Sequence, residues 1–116
     1  MYQLRKEYPH LQTILSVGGA TWSSNFARFT STAALRTTLA SSCIKLQLDY
    51  GFDGLDVDWE FPNNGAEANQ YLELLREIRA QWNVLVDGQR YYLGIATSYA
   101  PFDSLSVHKT MLKTNV

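Results

Sequence analysis

The chain has 116 residues and a formal net charge of −1, with 46% hydrophobic and 18% charged residues. That balance is ordinary for a globular protein and supplies no basic surface for nucleic acid. No apolar run is long enough to span a bilayer, and the single cysteine, Cys43, excludes an internal disulfide.

In chain order, Gln3 to Tyr8 reads as the last turns of a helix stopped by Pro9. Leu11 to Val17 is a short apolar run closing on Gly18 and Gly19. It predicts a buried parallel strand with a tight turn at its C-terminal end. Ala20 to Phe29 reads as a loop carrying Trp22 and Phe26. A helix is predicted from Thr32 to Asp49, with Leu35, Leu39, Cys43 and Leu46 as its buried stripe. Ser31 or Thr30 caps it, and Gly51 stands where a C-terminal glycine belongs. Cys43 is read as a small buried apolar residue. His10 and His108 stand far apart without a second ligand, so no metal site and no cofactor are expected.

From Gly54 to Glu60 the pattern changes. Leu55, Val57 and Trp59 alternate with Asp56, Asp58 and Glu60, the period of a β-strand. Side chains two apart on a strand share a face. Three acids on one face repel one another and are costly to desolvate, so folding alone does not ask for them. Carboxylates crowded together compete for protons, which suits general acid–base work. A Ca²⁺ loop fits poorly, because the interleaved residues are apolar and no glycine falls at the required position. Trp59 faces away from the acids and is expected to pack under a helix. Asp53 lies off the acid face and is read as structural.

Asn64 with Glu67 three residues on resembles a capping box for a helix whose buried face carries Tyr71, Leu75, Ile78 and Trp82. Asp87 and Gly88 make a turn. Tyr91 to Thr97 reads as a third strand, and Asp103 caps a final helix running to about Lys113. Strands alternating with helices imply right-handed βαβ units and a parallel sheet, hence an α/β fold.

Asp53 to Glu60 fits the pattern D-x-x-D-x-D-x-E, preceded by Tyr50-Gly51-Phe52 and followed by Phe61-Pro62. Upstream, Ser16-Val17-Gly18-Gly19 fits S-x-G-G, and Trp22-Ser23 and Asn25-Phe26 follow it. Together these segments resemble the family 18 glycoside hydrolases, the chitinases and their relatives, most of all the fungal members. The resemblance covers nearly the whole chain. It implies a (β/α)₈ barrel, which typically needs about 250 residues. Residues 1–116 are therefore expected to be a fragment of the catalytic domain, an incomplete TIM barrel whose three parallel strands are the third to fifth. The sixth-strand Met-x-Tyr-Asp segment of the family does not occur in this sequence.

The resemblance also implies a chemistry. Glu60 becomes the general acid that protonates the glycosidic oxygen. Asp58 holds the substrate's 2-acetamido group, whose oxygen attacks the anomeric carbon, because this family dispenses with a protein nucleophile. Asp56 shares a proton or hydrogen bond with Asp58. Ser16 is expected either to hydrogen-bond an acid on the next strand, Asp56, or to serve only as a small interior residue. Ser16, Gly18, Gly19, Trp22, Phe61 and Tyr99 form the candidate substrate-binding set. The three aromatics fall at strand ends, where they line a sugar cleft or simply pack.

The expected activity is hydrolysis of β-1,4 bonds between N-acetylglucosamine units of chitin or chito-oligosaccharides. Endo-β-N-acetylglucosaminidase action on N-glycans is an alternative enzyme reading, and a non-catalytic, lectin-like or vestigial chitin binder is an alternative of another class. Neither nucleic acid nor membrane is an expected partner. The family is mostly extracellular, yet the first residues lack the apolar core of a signal peptide. The 116 residues alone are expected to be a poor catalyst and an unstable monomer.

Overall fold

A computed structural model describes residues 2–97. Tyr99 and the helix predicted after Asp103 lie outside the described residues. The elements run α1 (Tyr2–Glu7), β1 (Ile14–Gly18), a 3₁₀ turn (Ser23–Asn25), α2 (Phe26–Phe29), α3 (Ala33–Tyr50), β2 (Gly54–Asp58), α4 (Gly65–Asn83), a second 3₁₀ turn (Gly88–Arg90) and β3 (Tyr92–Ile95). The three strands form one parallel sheet in the order β1-β2-β3. Parallel neighbours require crossover connections, and α3 and α4 supply them.

The register stacks side chains in layers. Ile14, Gly54 and Tyr92 lie side by side, then Ser16, Asp56 and Gly94, then Gly18 beside Asp58. These positions share the inner face, where a recess of about 570 Å³ is lined by Ile14, Ser16, Asp56, Tyr92 and Gly94 together with Gln12 and Leu93. The opposite face carries Leu55, Val57 and Trp59, all buried, with Leu15, Val17, Leu93 and Ile95 packed beside them. α3 and α4 cover it through Ala40, Cys43, Ile44, Tyr71, Leu74, Leu75, Ile78 and Trp82. The alternation read from the sequence thus separates a helix-covered apolar layer from an inner layer that carries Ser16, Asp56 and Asp58. Cys43 is buried there, which pushes its thiol up.

Local capping follows the sequence in part. Gly51 adopts the left-handed conformation at φ 70°, and Phe52 N–H closes back onto Gln47 O. Asn64 Oδ1 accepts from Glu67 N–H at 2.9 Å. The reciprocal bond reaches one residue further than in a capping box, because Glu67 Oε2 accepts from Asn63 N–H.

Several expectations need correction. Ala20 to Phe29 is not simply a loop, since Ser23 to Phe29 is helical. The cap of α3 is Thr32, whose Oγ1 accepts from Leu35 N–H, not Ser31 or Thr30. Thr30 is buried and bonds Phe26 O and Gln70 instead. The buried stripe of α3 is Ala40, Cys43, Ile44 and Gln47; of the expected stripe, Cys43 is buried and Leu39 packs against the core, whereas Leu35 and Leu46 are 37% and 48% exposed. The cause is α4: Gln47 Oε1 accepts from Trp82 Nε1 at 2.8 Å, and Ser41 meets Gln81. Those contacts turn the helix by a fraction of a turn from its leucine stripe. The strands are also shorter than predicted, β1 starting at Ile14, β2 ending at Asp58 and β3 spanning Tyr92 to Ile95.

Candidate active site

The site forms where β1 and β2 end together. Gly18 and Asp58 are register partners, and Gly19 N–H donates to Asp58 O at 2.8 Å. The approach is possible because residue 18 is glycine. Its φ is +118°, and a Cβ there would lie 2.2 Å from Asp58 O. The S-x-G-G segment thereby binds the backbone of the acidic strand.

Asp56 sits in the middle layer. Its Oδ2 accepts from Ser16 Oγ at 2.8 Å, and its Oδ1 lies over Gly94 on β3. Asp58 stands one layer higher, its Oδ2 facing Gly19. Glu60 follows just past the end of β2 and is exposed. The Glu60–Phe61 peptide is cis. Asp56 and Asp58 thus stand on one face of β2, and Glu60 follows, exposed, just past its C-terminal end. Among the described residues, no three His, Cys, Asp or Glu side chains gather closely enough to hold a metal ion.

The opposite side of this segment is locked. Trp59 is buried, stacked on Phe26 at 5.4 Å and tilted against Tyr71 at the same distance. The Tyr71 hydroxyl donates to Val57 O. Burial, reinforced by the charges of Asp56 and Asp58, pushes the Tyr71 phenol above its ordinary range. Asp53, at the other end of the strand, pairs with Arg5 and accepts from Thr13 N–H and Thr13 Oγ1. It ties α1 and the entry to β1 onto β2, away from the acids.

Trp22 is 76% exposed and Phe61 41%, so neither packs into the core. Sequence reasoning quoted Ser23 beside Trp22 in the resemblance and gave it no role. It is buried, and its hydroxyl joins Gly19 O, Asp58 O and Glu60 N–H. It also missed the bond from Tyr71 to Val57. A serine directly after an exposed tryptophan carries no periodic signal, so neither contact was legible from spacing.

The description "Glycosyl hydrolases family 18" matches residues 1–115. The chain belongs to that family. A fungal relative, Endochitinase 1 of Metarhizium anisopliae, is 38% identical over 112 residues, which is 93% of this chain and 26% of that protein. The chain therefore spans about a quarter of the relative's length. Among solved structures, the class V chitinase of Nicotiana tobaccum, a Glu→Gln mutant in complex with NAG4, superposes with a TM-score of 0.78 at 27% identity. That match covers 86% of this chain and 30% of the other. A chitinase-like agglutinin from Robinia pseudoacacia gives a TM-score of 0.74 at 29% identity, covering 81% and 30%. The fold is thus part of a family 18 TIM barrel, and the catalytic machinery that the family offers is a glycosidase's.

Proposed function

We propose that the complete protein hydrolyses β-1,4 linkages between N-acetylglucosamine units of chitin or chito-oligosaccharides. The observation that carries the reading is Asp56 and Asp58 on one face of β2, with Glu60 exposed just past the C-terminal end of that strand. Barrel enzymes build their active sites at that end. Glu60 protonates the glycosidic oxygen as its bond to the anomeric carbon breaks. The acetamido oxygen of the same sugar attacks that carbon from the other face and gives an oxazolinium ion. Asp58 accepts the acetamido N–H and offsets the positive charge, and Asp56, held by Ser16, supports Asp58 from below. Glu60, now a carboxylate, takes a proton from the water that opens the ring, so configuration is retained. Trp22 and Phe61 offer exposed ring faces at the rim for sugars.

Binding without turnover is the second reading, since the chain also resembles a chitinase-like agglutinin in fold. Glu60 argues for the hydrolase, because a binder has no need of a rim acid. The test is Glu60→Gln in the complete protein. Turnover of chito-oligosaccharides should fall by about 10²–10⁴-fold or more while affinity stays close to wild type. Fully deacetylated oligomers should resist cleavage, and a thiazoline mimic of the oxazoline should inhibit. Wild-type-like hydrolysis by the variant would remove Glu60 from the mechanism. A wild-type protein that binds chitotetraose and never cleaves it would establish the binder.

A further inference from the structure

We infer that Ser23 is a positioning residue that sets the backbone of both Asp58 and Glu60, an inference that rests on the hydrolase reading for its kinetic consequence. Its side chain is the meeting point of the two signature segments. Ser23 Oγ accepts from Glu60 N–H at 2.9 Å. The hydroxyl proton has two acceptors in reach, Gly19 O at 2.8 Å and Asp58 O at 2.9 Å. One atom thus touches the backbone of both acid-bearing residues and of the glycine between Ser16 and the rim. Ser23 is only 5% exposed, so water has little access to replace it.

The need for such a group follows from where β2 stops. Ladder pairing with β1 ends at Gly18 and Asp58. Beyond it, among the described residues, Glu60 N–H has no strand partner. A general acid acts only if its carboxyl is held within hydrogen-bond reach of the leaving oxygen. The aromatic stack on Trp59 fixes the outward side of this segment, and Ser23 fixes its amide. The 3₁₀ turn of Ser23–Asn25 brings the serine there, anchored by Ser23 N–H on Gly19 O at 3.0 Å. Ser24, its neighbour in the same turn, is exposed.

The test compares Ser23→Ala and Ser24→Ala in the complete protein. Ser23→Cys is added because a thiol of similar size bonds poorly. It keeps the experiment decisive if the alanine variant does not fold. Two quantities are read: hydrogen exchange of the Glu60 amide, resolved by fragmentation mass spectrometry, and kcat per active site titrated with the thiazoline inhibitor. Loss of the serine should speed Glu60 exchange at least about tenfold. It should lower kcat about 10- to 100-fold, with KM changed less than about threefold, because a displacement of about 1 Å costs that much. Ser24→Ala should match wild type in both. Unchanged Glu60 exchange, or kcat within twofold of wild type in the Ser23 variants, overturns the inference. Exchange needs no substrate. An inactive wild type would therefore refute the hydrolase reading, while the exchange rates would still decide whether Ser23 holds Glu60.

Discussion

Gly18→Ala should damage the complete protein far more than its size suggests. A Cβ at residue 18 would lie 2.2 Å from Asp58 O and 2.8 Å from Phe26 Cε2, with φ at +118°. Relief to an ordinary contact near 3.5 Å requires the ends of β1 and β2 to separate by about 1 Å. Forcing an L residue into that backbone region costs about 1–3 kcal/mol. The separation also weakens the bond from Gly19 N–H to Asp58 O, for about 1 kcal/mol more. A loss of about 2–4 kcal/mol lowers Tm by roughly 5–15 °C in a large domain. The same 1 Å displaces Asp58 and Glu60, so kcat should fall about 100-fold in the molecules that remain folded. Gly65→Ala is the control. Gly65 begins α4, and a Cβ there meets nothing within 4 Å. That substitution should leave Tm unchanged or raise it by about the equivalent of 0.4–1 kcal/mol. Calorimetry and chito-oligosaccharide hydrolysis on both variants decide the matter. If Gly18→Ala melts with the Gly65→Ala control and keeps its rate, close approach of the two strands is not what residue 18 provides.

Gln47→Leu should destabilise by about 1–3 kcal/mol, because Trp82 Nε1–H and Phe52 O lose their partner in a buried site; an unchanged melting temperature would show that packing alone sets the face of α3. Tyr71→Phe should change the alkaline stability profile. The folded phenol is raised above the unfolded value near 10, so its contribution is complete below about pH 10 and is lost as pH rises beyond it. Phe removes the bond to Val57 O and costs about 1 kcal/mol at neutral pH; its deficit relative to wild type should shrink above pH 10 in denaturant titrations, and a constant deficit would contradict the linkage. Met1–Val116 expressed alone should show helical content without a cooperative monomeric transition. Among the described residues, β1 and β3 each have one unpaired edge, and Ile14, Asp56 and Tyr92 line an open face. A sharp monomeric melt by circular dichroism and sedimentation would refute this.

The sequence by itself determined whatever has a short period. Alternation from Leu55 to Trp59 placed Asp56 and Asp58 on one face and Leu55, Val57 and Trp59 on the other, since a strand's side chains alternate whatever surrounds it. The glycine cap at Gly51, the Asn64 cap and the α4 stripe from Tyr71 to Trp82 were legible for the same reason: each depends on residues within a turn or two. The bond from Ser16 to Asp56 was an open alternative, and only the parallel register of β1 on β2 brings those side chains together. Tertiary structure alone decided the rest. The buried face of α3 takes in Gln47 and its bond to Trp82 and leaves Leu35 and Leu46 exposed, because α4 chooses which side is covered. Asp53 finds Arg5 and Thr13, and Ser23 finds Asp58 and Glu60, across at least 35 residues of chain. Such pairings leave no local period, since they depend on how two segments dock and not on how either one is patterned.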